Sequence, residues 1–162
     1  MKNIFKGSAV LGIVCAAVMA LTPAASASTE SAAGKTCQFV NETGTIVASM
    51  DLQGDGGPVG TIAVCRDDSY NVWGYIGFRE KLTASQWAQA TLYRQRDGSA
   101  AGTYTCDSSG GNGRVMPNQR VCWTPKMSGL SGHYQFLAMG EMYSSHTGAR
   151  LAFDTTREFI RA

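Results

Sequence analysis

The sequence predicts an all-β chain: a single antiparallel β-sandwich or barrel-like domain with two disulfides. Three features carry that expectation. From Thr36 onward, short runs of β-branched and aromatic residues alternate with Gly, Asp, Asn and Ser clusters. The clusters recur every eight to twelve residues or so, the spacing of sandwiches and barrels. Helical periodicity is nearly absent, and the segment after residue 27 holds an even set of cysteines, Cys37, Cys65, Cys106 and Cys122.

The first 27 residues read as an export signal. Lys2 and Lys6 supply the positive start, and Ala9 to Leu21 form an apolar run too short to span a bilayer. Ala25-Ser26-Ala27 then gives the small-x-small pattern of a cleavage site, which places the mature start at Ser28. Cys15 lies midway through the apolar run and belongs to the discarded leader. Residues 28–35 are small and polar and read as a flexible segment ahead of one β domain over 36–162.

The predicted strands are Thr36 to Asn41, Thr45 to Leu52, Gly60 to Arg66, Asn71 to Arg79, Trp87 to Arg96, Gly102 to Cys106, Gln119 to Thr124, Tyr134 to Ser144 and Ala149 to Phe159. Gln53 to Pro58 reads as a loop, since its glycines permit positive φ and its proline fixes a bend. Ser145 to Gly148 joins the last two strands into a hairpin, with Tyr134, Phe136, Ala138, Leu151 and Phe153 expected on its buried face. One segment reads two ways. Thr83 with Gln86 fits a helix capping box, which admits a short helix near 83–94. Alternation through Ala88, Ala90 and Leu92, with Asp97-Gly98 as a turn, favours a strand instead.

Nearest-neighbour pairing of the cysteines gives Cys37 with Cys65 and Cys106 with Cys122. Their spacings fit no zinc-ligand pattern, and bridged sulfurs are not nucleophiles. The twelve acidic residues all follow residue 27, so removal of Lys2 and Lys6 with the leader takes the formal charge of +2 to zero. Basic and acidic residues are interspersed, which argues against nucleic acid as a partner and against an electrostatic membrane-surface role. No later segment is apolar for long enough to insert stably in a membrane once the leader is gone.

No complete catalytic constellation emerges. Gly54-Asp55-Gly56-Gly57-Pro58 resembles the nucleophile segment of chymotrypsin-like proteases but lacks the serine between aspartate and glycine. Gly129-Leu130-Ser131-Gly132-His133 has histidine where a nucleophile elbow needs its second glycine. His133 and His146 flank a predicted strand about 40 Å long, too far apart to share a metal or a proton. Asp55, Asp67, Asp68 and Asp107 lie in predicted turns that would have to converge to hold calcium, and no dense acidic loop is present. The sequence therefore implies no cofactor and no metal.

The candidate contact residues are aromatic. Trp73, Tyr75, Trp87 and Trp123 would form a stacking or gripping face if exposed, although Val72 to Phe78 also reads as a strand buried on both sides. Arg114 and Met116 lie in the glycine-rich segment 107–118 between two cysteines, which a base disulfide would hold out as a constrained loop. The leading functional expectation is a secreted binding or interaction protein, with an extracellular protein or a carbohydrate as partner. The alternatives are a protease inhibitor presenting the 107–118 loop and a small secreted hydrolase using acidic residues or His133. Oligomeric state is not legible.

Overall fold

The structure, a computed structural model, describes residues 36–161. The predicted leader and the 28–35 segment lie outside the described residues. Ten strands are present: β1 (Thr36–Phe39), β2 (Glu42–Gly54), β3 (Gly57–Arg66), β4 (Asn71–Phe78), β5 (Trp87–Arg96), β6 (Ser99–Thr105), β7 (Val121–Trp123), β8 (Met127–Ser128), β9 (Tyr134–Tyr143) and β10 (Arg150–Thr155). They make one antiparallel sheet in the order β6-β5-β9-β10-β2-β3-β4-β7, with β1 added to β2 and β8 to β4. The fold is thus all-β, and it is a single sheet rather than the two of a sandwich.

That sheet curls until β4 packs across β5 and β9, and β3 across β9. Its interior is filled by Leu52, Ile62, Val64, Val72, Ile76, Ala88, Ala90, Leu92, Phe136 and Ala138, all buried. Alternation puts them there, because residues two apart on a strand share a face. The walls approach closely where glycine allows. A β-carbon on Gly140 of β9 would lie 3.1 Å from Ile76 Cδ1 and 3.2 Å from Ile62 Cβ, and one on Gly74 of β4 would lie 3.3 Å from Leu92 Cβ.

The two edges of the sheet are sewn together by residues 106–119. On one side the Cys106 amide donates to the Ala90 carbonyl (3.1 Å), and Ala88 and Val115 exchange amide bonds of 3.0 and 2.8 Å. On the other side the Trp123 amide donates to Asn112 Oδ1 (2.7 Å), and the Asn112 amide donates to the Trp123 carbonyl (3.3 Å). The Cys106–Cys122 disulfide, with α-carbons 6.0 Å apart, locks this seam. Segment 107–118 is therefore not a loop held away from the body, as the sequence suggests. Val115 is fully buried in it.

A second core lies outside β3 and β4. Trp73, Trp123, Ile46, Ala63, Cys37 and Cys65 are buried there, with Phe39, Tyr75 and Val121 packed against them. β1 folds over this layer and is pinned by the Cys37–Cys65 disulfide. Lys126 fastens it further. Its Nζ lies 4.6 Å from the Phe39 ring centre and 5.1 Å from that of Trp73, and it donates to Glu42 and, at 2.9 Å, to Asp67. Asp67 also accepts from the Ser69 and Asn71 amides and from the Asn71 side chain. Burial opposes ionisation of Asp67, but the hydrogen bonds from Lys126 and Asn71 outweigh it and hold the carboxyl at about 2. Burial likewise opposes the Lys126 charge, and its bonds to Asp67 and Glu42 again prevail, raising its pKa.

One two-way reading is settled in favour of the strand, and two local expectations are corrected. Residues 87–96 form a strand and no helix; the Thr83 amide does bond Gln86 Oε1 and the Gln86 amide the Thr83 carbonyl, but as an isolated turn running straight into β5. The expected loop at Gln53 to Pro58 is a tight hairpin, with Gln53 and Gly54 paired to Pro58 and Gly57. In the β9–β10 hairpin a register shift between Arg150 and Ala152 turns Ala152 inward and leaves Phe153 40% exposed. By contrast the Asp97-Gly98 turn has positive φ at both residues, 50° and 80°, the primed geometry that suits a twisted hairpin.

Two outcomes follow from this architecture. Replacing Cys106 and Cys122 together by alanine should lower unfolding stability by roughly 3 kcal/mol in urea titrations and speed amide exchange at Ala88 and Val115; unchanged exchange there would mean the bridge does not hold the seam. Because the folded Asp67 pKa lies below its ordinary 3.8, its contribution is complete above about pH 4 and is lost as pH falls towards about 2. Asp67→Asn should cost about 1–2 kcal/mol at pH 7 and flatten the acid limb of the stability curve, which denaturation at stepped pH would show.

Candidate functional site

Of the predicted contact residues, two are core. Trp73 is fully buried and its indole N–H donates to the Gln38 carbonyl (3.2 Å), while Trp123 is 8% exposed. Neither offers a face to a partner. Tyr75 is half-buried beside them and lines an open depression with Thr36, Gln38, Val40, Asn41, Glu42 and Thr43. Burial pushes its phenol pKa up, against the opposing pull of Arg120. Met116 is 42% exposed, on the seam.

Trp87 and Arg114 come together. Inward-pointing Ala88, Ala90 and Leu92 force the odd positions of β5 outward, and antiparallel register sets Trp87 directly opposite Tyr143 of β9. Their rings stack with centres 4.7 Å apart and planes 13° from parallel. The Trp87 indole N–H donates to the Ser145 carbonyl at 2.8 Å, which pins the β9–β10 turn so that His146 stacks on the same indole at 5.3 Å. From the seam, the Arg114 guanidinium lies 5.5 Å from the Trp87 ring centre. It pairs with Asp107 at 2.7 Å and reaches His146 Nε2 at 3.1 Å.

The array continues along the outer face. Tyr143 donates its hydroxyl to Glu141 Oε1 (2.9 Å), which also accepts from Arg150 (3.2 Å), and the Arg150 guanidinium covers the Phe153 ring at 4.3 Å. Burial, followed by the bond to Glu141, raises the Tyr143 pKa. The result is a run of rings and paired charges: Asp107, Arg114, His146, Trp87, Tyr143, Glu141, Arg150, Phe153. Both carboxylates are paired with arginine, an arrangement suited to recognition rather than proton transfer. Sequence reasoning missed Tyr143, Glu141 and Arg150. Their signal was the outward parity of β9, which acquires meaning only once β5 is known to lie alongside.

The remaining candidates are scattered. His133 and Asp97 are hydrogen bonded at 2.7 Å, but they project from two turns with side chains 61% and 63% exposed, so no cleft shields them from water. Asp55 and Asp67 sit at opposite ends of β3, about 30 Å apart at strand rise. Asp107 and Asp67 are each bound to a cation. Among the described residues, no three His, Cys, Asp or Glu side chains are grouped to hold a metal ion.

No family model matches the chain, and no solved structure matches it. A protein of Bacillus subtilis (strain 168), uncharacterized protein YjfA, is 30% identical over 96 residues, 59% of this chain and 52% of that protein. The chain thus spans about half the length of the curated relative it matches, and the name of that relative assigns it no activity.

Proposed function

We propose that this is an exported binding module that grips an extracellular protein through the outer face of β5, β9 and β10. The observation that carries this reading is the Trp87–Tyr143 stack with Arg114 beside it. Trp, Tyr and Arg are the residues most enriched where a few side chains supply most of the binding energy. Here they are held in place before any partner arrives, which lowers the ordering cost of association. The two disulfides are compatible with an oxidising, extracellular compartment. A carbohydrate partner is the second reading, favoured by Phe153, an exposed ring on the same face.

The test is capture of partners from the surface and medium of the producing cells by the immobilised mature chain, alongside pull-down on insoluble polysaccharides. Trp87→Ala and Arg114→Ala should each weaken binding of a captured protein at least about tenfold while circular dichroism stays that of a β domain. Retention by polysaccharide alone, lost in the same variants, would favour the carbohydrate. Binding of the captured protein unaffected by both substitutions would remove this face from consideration.

A further inference from the structure

A different group of cations lies at the other end of β5. Arg94 and Arg96 are two apart on the strand and so point to the same side. Both guanidinium groups reach one ring, that of Tyr134 on β9. The Arg94 Cζ stands 3.4 Å from its centre and that of Arg96 5.9 Å. Their charges therefore lie within about 10 Å of each other, the screening length at 0.1 M salt. Among the described residues neither pairs with a carboxylate, whereas Arg114, Arg150 and Lys126 all do. The neighbouring Asp97 is bonded to His133.

Arg94 is also incompletely satisfied. Its Nη2 donates to the Ser128 carbonyl at 3.3 Å, but its Nε is shielded from solvent and has no hydrogen-bond partner. A buried donor left without a partner is costly. The same rim holds a third guanidinium, since the Gly129 amide donates to the Tyr70 carbonyl at 2.8 Å and Arg66 stacks over the Tyr70 ring at 4.7 Å. Aromatic stacking holds such planar groups in a fixed orientation, and Arg96 presents at an exposed position the fork that takes an oxyanion in two parallel bonds.

We propose that this rim is an anion-binding site in which Arg94 and Arg96 receive one carboxylate or phosphate group of an extracellular ligand. The ligand supplies the counter-charge that the pair lacks and an acceptor within reach of the Arg94 fork. The site is independent of the Trp87 face and stands or falls separately.

The test uses the oxidised mature chain at low ionic strength, titrated with inorganic phosphate in one arm and acetate in the other, while NMR follows the arginine Nε–H resonances. The Arg94 Nε–H signal should move saturably in at least one arm, and the arm with the tighter curve identifies the ligand group. Arg96→Gln, at an exposed position, keeps the fold and should weaken that binding at least tenfold; Arg79→Gln, outside the rim, should leave it unchanged. A still Arg94 signal in both arms, or equal binding by Arg96→Gln, would overturn the proposal.

Discussion

Everything in this domain depends on closing one sheet on itself. An open sheet of this length would leave β6 and β7 as edges and half of its apolar face wet. Residues 106–119 solve both problems, bonding to β5 on one side and β7 on the other. The disulfide is placed where closure is most vulnerable. It joins the end of β6 to β7, positions separated by 16 residues in sequence but by most of the sheet in strand order. The second bridge is of another kind, tying β1 down over the outer layer of Trp73 and Trp123.

Strand positions were legible because they follow from local alternation and turn chemistry. The β5, β9 and β4 segments read almost to their ends, and the Asp97-Gly98 turn announced its hairpin. What the residues could not disclose was long-range. Val72 to Phe78 carries large groups on both parities, which says buried on both faces but not by what; the answer is the barrel interior on one side and β1 with its rings on the other. Segment 107–118 reads as a constrained loop held out from the body, because local composition does not register hydrogen bonds made to distant strands. The same limit explains the site. Trp87 was visible as an aromatic residue, but its value comes from Tyr143 and Arg114, which only sheet register and seam bring alongside.

Charge is organised at two levels. Arg114 with Asp107 and Arg150 with Glu141 are matched pairs and Lys126 is shared by Asp67 and Glu42, and each of the three cations also lies over an aromatic ring. The rings desolvate one side of each cation while a carboxylate compensates it, so these contacts hold parts of the fold together. Arg94 and Arg96 follow the first half of this pattern and not the second. Two cations without a paired carboxylate are thus gathered at one rim among the described residues.

Closure and recognition are coupled through a single stretch of chain. Arg114 is next to Val115, which bridges to β5, and its amide and guanidinium both bind Asp107, the residue after the bridged Cys106. Its position over Trp87 is therefore set by the same covalent constraint that shuts the barrel. If the seam opened, Arg114 would leave the indole, His146 would lose its hydrogen-bond donor, and the stack on β5 and β9 would keep its rings but lose its cation. The bridge is in this sense part of the site, since it anchors the segment that carries the guanidinium to the rings.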